Sequence, residues 1–263
     1  MEIQLIRNAT VKIKFGNKTW LIDPFLGDVN SLPPFAGKSD NPTVPLPFTI
    51  SEILEDVDYV LITHLHPDHF DSKAKELIPK TIPFIVQAAD AQEVKSFGFE
   101  NVKSIDQEII IDTIKISRVT AQHGEGDILK VMGHVSGYIL EADQEQTLYI
   151  TGDTIWCDSV KNNLDKFQPD IIICNAGGNS FYPESNPFKT YLDIERSYKV
   201  IMDEKQVLEL LNYRDETTVI TVHMGALDHE TVSREQMKEF IKASNIDMKR
   251  LRVPEDGEVI KLN

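Results

Sequence analysis

Residues 60–71 read VLITHLHPDHFD, an apolar run that ends in His64, His66, Asp68 and His69. Three of the seven histidines in a 263-residue chain therefore stand within six positions. Neighbouring imidazoles buried together would each carry a desolvation cost that nothing nearby offsets. A divalent cation removes that conflict, because neutral imidazole and carboxylate both donate to it. His64 and His66 are two apart, so an extended backbone sends both side chains to one face while Leu65 points into apolar packing. Pro67 then interrupts regular pairing. Asp68 and His69 can turn to a second point close by, so one short segment can offer two ligands to each of two adjacent cations.

Other apolar runs also end in residues able to bind metal or orient a ligand. WLID ends at Asp23, KISRVTAQH at His123, LYITGD at Asp153 and TVITVH at His223. Ends of strands meet easily on one rim of a sheet, where loops gather too. His134, eleven positions after His123, competes with it on spacing alone as a third ligand; it is also a candidate substrate contact, although an ordinary hydrogen-bonded histidine is the favoured reading. His229, in DHETV, reads as a surface residue beside a helix start. No Ser-His or Cys-His pairing indicates covalent catalysis. NAGGNSF, with Asn175, Gly177 and Gly178, lacks the spacing of a dinucleotide or Walker loop. It could present backbone amides to a substrate oxyanion, or form a tight structural turn. The aromatics that follow, Phe181, Tyr182, Phe188 and Tyr191, could wall a pocket, although packing within their own loop is the favoured reading.

The elements that must position these residues alternate along the chain. EIQLIR, TVKIKF and TWLID read as short strands, with a turn at Gly16-Asn17. Residues 27–50 hold Pro33, Pro34, Pro42, Pro45 and Pro47 and should form a long ordered loop. Leu32, Phe35, Leu46 and Phe48 argue that this loop packs on the protein. DYVLIT and PFIV read as strands; DSKAKELI, capped by Asp71, and DAQEVKSFG read as helices. Further β segments follow at 101–120, 135–141 and 147–151. DIIICN, TTVITV and EVIKL then read as strands, with helices expected over 192–212 and 231–243. Each half thus holds β-rich sequence followed by α/β sequence. The expected fold class is α/β: two mixed sheets packed face to face with helices outside, four layers in one domain over 1–263.

The bulk properties agree. The chain is 41% hydrophobic and 26% charged, ordinary for a globular protein with a sizeable core. Its net charge of −15 argues against nucleic acid or an anionic membrane as partner. No apolar run approaches the ~20 residues of a membrane helix. The opening MEIQLIRNATVKI lacks the pattern of a signal peptide, so the cytoplasm is the expected compartment. Cys157 and Cys174 are too few for a disulfide framework and read as small buried hydrophobes. Nothing in the sequence speaks to the oligomeric state.

HLHPDH matches the HxHxDH signature of the metallo-β-lactamase superfamily, and the other strand ends match its remaining motifs in order. IRNATVKIKFGNKTWLIDPF and NPTVPLP resemble the branch containing ascorbate-6-phosphate lactonase-like metal-dependent hydrolases. The resemblance implies the four-layer αββα sandwich of that superfamily. It also implies His64, His66 and His123 on one cation, Asp68, His69 and His223 on a second, and Asp153 between them. QHGEG after a strand end matches the third motif, which favours His123 over His134. Asp23 would be a buried carboxylate holding a ligand in place from behind. Two cations about 3.5–4 Å apart can share a water and lower its pKa toward neutrality. Hydrolysis of a small-molecule ester, lactone or phosphoester by hydroxide so generated is therefore expected, with Asp68 or Asp153 moving the proton to the leaving group. Imidazole and carboxylate without cysteine suit zinc, manganese or iron; general affinity and the resemblance to the superfamily favour zinc, and the lactonase-like branch makes manganese the alternative. A phosphodiesterase or ribonuclease, and a non-hydrolytic metal-dependent sensor, are the competing readings.

Overall fold

The structure, a computed structural model, describes residues 1–262. It starts with an antiparallel meander of β1 (Glu2–Arg7), β2 (Thr10–Phe15) and β3 (Lys18–Ile22). Gly16 and Asn17, both at positive φ, close the two-residue turn between β2 and β3, the backbone that the twist of a hairpin favours. Three strands then add in parallel beside β3: β4 (Tyr59–Ile62), β5 (Phe84–Gln87) and β6 (Val102–Ile105).

The second sheet repeats this plan. β7 (Glu108–Ile111), β8 (Ile114–Thr120), β9 (Ser136–Glu141) and β10 (Leu148–Ile150) are antiparallel, and β11 (Ile171–Asn175) joins β10 in parallel. A two-stranded ribbon, β12 (Ser180–Phe181) with β13 (Tyr198–Lys199), stands apart. β14 (Thr218–Val222) and β15 (Leu251–Arg252) extend the second sheet in parallel, and β16 (Val259–Lys261) returns to pair with β1.

Alternation along the strands builds the layers. Trp20 and Ile22 of β3 enter a core shared with Ile116, Leu140, Ile173 and Ile220 of the other sheet. Leu21, between them, faces outward beneath α1 (Ile50–Leu54), α2 (Ser72–Leu77) and α3 (Ala91–Ser96). Ile139, Ile172 and Val219 likewise face α4 (Asp158–Phe167), α5 (Glu204–Tyr213) and α6 (Arg234–Ala243). The result is the expected four-layer αββα sandwich. Caps set the helix starts. Asp71 accepts from the Ala74 amide at 3.0 Å, and Ser233 with Gln236 forms a capping box on α6.

Two local readings are corrected. The helix expected over 192–212 begins only at Glu204, capped by Asp203. The residues before it run as loop and β13, because pairing with β12 requires extended chain there. The sequence reading also passed over α4, whose Val160 and Leu164 bury one turn apart. The proline-rich segment is ordered and pinned at several points. Leu32 bridges Asn41, and buried Arg7 donates to the carbonyls of Phe25, Gly27 and Val44. Cys174 is buried, Cys157 half-buried, and both are free thiols. Among the described residues, no helix is long and apolar enough to cross a membrane.

Candidate metal centre

The parallel strands β3, β4, β10, β11 and β14 all end on one rim, and within a few residues of each end stands a polar side chain. Asp23 follows β3, His64 follows β4, Asp153 follows β10 and His223 follows β14. Asn175 closes β11, while His123 lies just beyond antiparallel β8. Asp23 and His223 adopt left-handed backbone, with φ of 43° and 60°. For non-glycine residues this costs energy, and here both outliers sit where chemistry gathers.

All seven residues expected as ligands come together. One donor atom from each of His64, His66 and His123 lies within 4.8 Å of the others, and Asp68, His69 and His223 form a second such group. Asp153 lies between the two. Its Oδ2 is 3.3 Å from His69 Nε2, 3.4 Å from His123 Nε2 and 3.8 Å from His64 Nε2, and its Oδ1 is 3.8 Å from His223 Nε2. Asp68 Oδ2 is 3.2 Å from His223 Nε2.

The imidazoles are aimed from behind. His123 Nδ1 donates to the Val200 carbonyl at 2.8 Å, and His69 Nδ1 donates to Asp23 at 2.9 Å. Thr63 Oγ donates to Asp23 at 2.6 Å and so accepts from His64 Nδ1 at 3.0 Å. Each such contact fixes the proton on Nδ1 and leaves the Nε2 lone pair facing the cluster. The His64 Nε2 atom is buried and has no hydrogen-bond partner at all. An orphaned lone pair 3.8 Å from the Asp153 carboxylate is the observation that fits a cation here.

Charge is split across the cluster. Burial drives His64 far below the ordinary histidine range and His66 down to about 4, with neighbouring imidazoles adding to it. Burial also lowers His123. It opposes the charge on His69 and His223 too, but the surrounding carboxylates, Asp153 foremost, outweigh it and raise both. Burial would raise Asp68 and Asp153, yet the imidazoles hold both well below the usual carboxylate range. Two fixed anions, three imidazoles held neutral and two that a cation could relieve of their protons form a donor set suited to divalent metal.

The candidate substrate contacts are placed differently from one another. His134 is exposed, and it is its carbonyl that is engaged, accepting from Gln87 Nε2 at 2.7 Å. Asn175 donates to Asp153 Oδ1 at 2.6 Å and so holds that carboxylate. Gly177 and Gly178 form a tight crossing. The Gly178 amide donates to Met202, and a Cβ on Gly177 would stand 2.3 Å from the His223 carbonyl.

His229 is buried, which corrects its reading as a surface residue. The Asn179 amide lies 3.1 Å from His229 Nε2 and 3.5 Å from His223 Nδ1. The neighbouring Asp228 carboxylate accepts from the amides of Phe35, Ala36 and Lys38 at 2.8–3.1 Å, and so ties down the proline-rich strap. Thr63, Asn179, Asp228 and His229 went unremarked as site residues in the sequence. The one available signal was a second Asp-His pair five residues beyond His223.

A cleft of about 250 Å³ opens over the cluster, reached by His66, Asp68, His123 and Asp153. Phe181 and Phe188 line it, so two of the four aromatics assigned to loop packing also form wall; Tyr191 is 87% exposed and does not.

Residues 18–224 match the family described as the Beta-lactamase superfamily domain. The chain is 39% identical over 264 residues to the UPF0173 protein YddR of Bacillus subtilis, covering 98% of each. A possible metal-dependent hydrolase from Veillonella parvula superposes with a TM-score of 0.90 at 34% identity, over 100% of this chain and 99% of that one. An isothiocyanate hydrolase from Delia radicum gut bacteria superposes with a TM-score of 0.87 at 29% identity, over 99% of each. The chain belongs to the metallo-β-lactamase superfamily, among its metal-dependent hydrolases.

Proposed function

We propose that the protein hydrolyses a small molecule with two divalent cations. His64, His66 and His123 would hold one, Asp68, His69 and His223 the other, with Asp153 touching both. The observation that carries this reading is the convergence of seven donor groups, three of whose five imidazoles, His64, His69 and His123, have the second ring nitrogen already engaged behind them. When bound, the cations supply Lewis acidity and a nucleophile drawn from water near neutral pH.

The protein's own groups do the rest. Asp23, Thr63 and the Val200 carbonyl hold three imidazoles in the tautomer that donates through Nε2. Asn175 keeps Asp153 turned inward. Asp68 and Asp153 both line the cleft, and in this reading one of the two carboxylates would carry a proton to the leaving group. The donor types suit zinc, manganese or iron, and zinc is the first choice on general affinity.

A phosphodiesterase reading is less well supported. The substrate would bring charges beyond the reacting phosphate, yet no lysine or arginine lines the cleft among the described residues. The test is metal analysis of protein purified without added metal, then reconstitution and assay against esters, lactones, phosphodiesters and isothiocyanates. Turnover that follows metal content supports the proposal. Fully loaded protein that cleaves none of these classes would overturn it.

A further inference from the structure

Four aromatic rings form a continuous ladder along one wall of the cleft. Phe35 meets His229 edge to face, with centroids 5.1 Å apart. His229 stacks on Phe181 at 5.2 Å with 22° between planes. Phe181 in turn meets Phe188 edge-on at 4.9 Å. The rings come from the proline-rich strap, from β12 and the loop after it, and from the loop after β14, so the fold assembles this wall from three distant segments. Met132 and Val200 add aliphatic surface. The only ionisable side chains at the cleft, among the described residues, are the imidazoles and carboxylates of the cluster and its ladder, and no lysine or arginine is among them.

We propose that this wall seats the non-reacting part of the substrate, which is therefore an uncharged electrophile bearing a flat apolar substituent, an aryl or arylalkyl group. The inference rests on the hydrolase reading above and narrows it to a substrate class. A flat ring laid on the ladder gains offset or edge contacts with several rings as well as burial. An anionic substituent would shed its water among rings with no cation to pair with it. At about 250 Å³ the cleft lies near the small end of ligand pockets, which excludes polymers from its interior.

The test uses metal-loaded full-length protein and matched substrates that differ only in the substituent: methyl, benzyl and 4-carboxybenzyl, each as the ester and as the isothiocyanate. The benzyl member should exceed the methyl member by at least tenfold in kcat/KM and the carboxylated one by more. Phe181→Ala should raise KM for the benzyl substrate about tenfold with kcat changed far less, and Phe188→Leu should act in the same direction more weakly. Metal content should stay at the wild-type value in both. Binding of 2-phenylethanol, followed by NMR, gives a readout independent of turnover and should weaken in Phe181→Ala. A carboxylated substrate handled as well as the benzyl one, or failure of 2-phenylethanol to bind, would overturn the inference and leave the hydrolase reading standing. Binding that depends on Phe181 in a loaded protein that cleaves nothing would support the wall and sink the hydrolase reading instead.

Discussion

His69 Nδ1 lies 2.9 Å from Asp23 Oδ2, and the same carboxylate oxygen accepts from Thr63 Oγ, which in turn braces His64. One buried carboxylate at the end of β3 thus sets the direction of an imidazole in each of the two donor groups. Asp23→Ala should leave both rings free to turn and lower metal affinity by 10–100-fold, the usual range for such supporting partners. Competition titration with a chromophoric chelator measures this directly; unaltered affinity would show that the rings are held by something else.

Asp228 should act on the strap without touching the metals. Burial would raise its carboxyl, but the amides of Lys38, Phe35 and Ala36 and the Asn41 side chain hold it below the ordinary range. A depressed carboxyl contributes stability that is present above its unfolded value and lost as pH falls through the folded one. Asp228→Ala should cost on the order of 2–3 kcal/mol, as for hydrogen bonds to a charged group. Hydrogen exchange at residues 35–39 should speed up, while metal content holds.

The buried imidazole of His229 sets a pH dependence of its own. Burial pushes it from 6.5 down to about 4, so the unfolded chain takes up a proton first as pH falls. Its contribution to stability is full above pH ~6.5 and declines toward pH ~4. Between pH 7 and 5 this amounts to about 2 kcal/mol. Urea titrations of metal-free protein should therefore show a shallower loss in His229→Gln than in wild type over that interval. Equal slopes would mean that His229 is already charged or exposed.

Gly177 tests whether the backbone behind His223 must pass so close. A methyl group there would meet the His223 carbonyl at 2.3 Å, which a main-chain atom cannot evade cheaply. Gly177→Ala should destabilise by about 1–3 kcal/mol, the range for overpacking. It should also weaken metal retention, read as metal per chain after gel filtration.

Much of this site was legible because its ligands cluster in sequence or sit at strand ends. HLHPDH announces itself through composition alone, and apolar runs ending in Asp or His mark the remaining donors. TWLID was likewise readable as a strand, although the alternation of Trp20, Leu21 and Ile22 between two cores shows only in the fold. What escaped depends on contacts between distant segments. Residues 192–203 look compatible with helix, but Tyr198 pairs with Phe181 and the Val200 carbonyl receives His123, and both need extended chain. His229 looks like a surface residue beside a helix start until Phe35 and Phe181 close over it from elsewhere in the chain. Asn175 is polar and follows a strand, as a substrate contact would, yet only the fold shows that its amide is spent on Asp153.

The most direct measurement is anomalous diffraction from crystals of metal-reconstituted protein, recorded on both sides of the metal edge. Two peaks about 3.5–4 Å apart are expected, with His64, His66 and His123 around one, Asp68, His69 and His223 around the other, and Asp153 reaching both. A single peak, or metal bound away from this cluster while the seven side chains stay unliganded, would contradict the account.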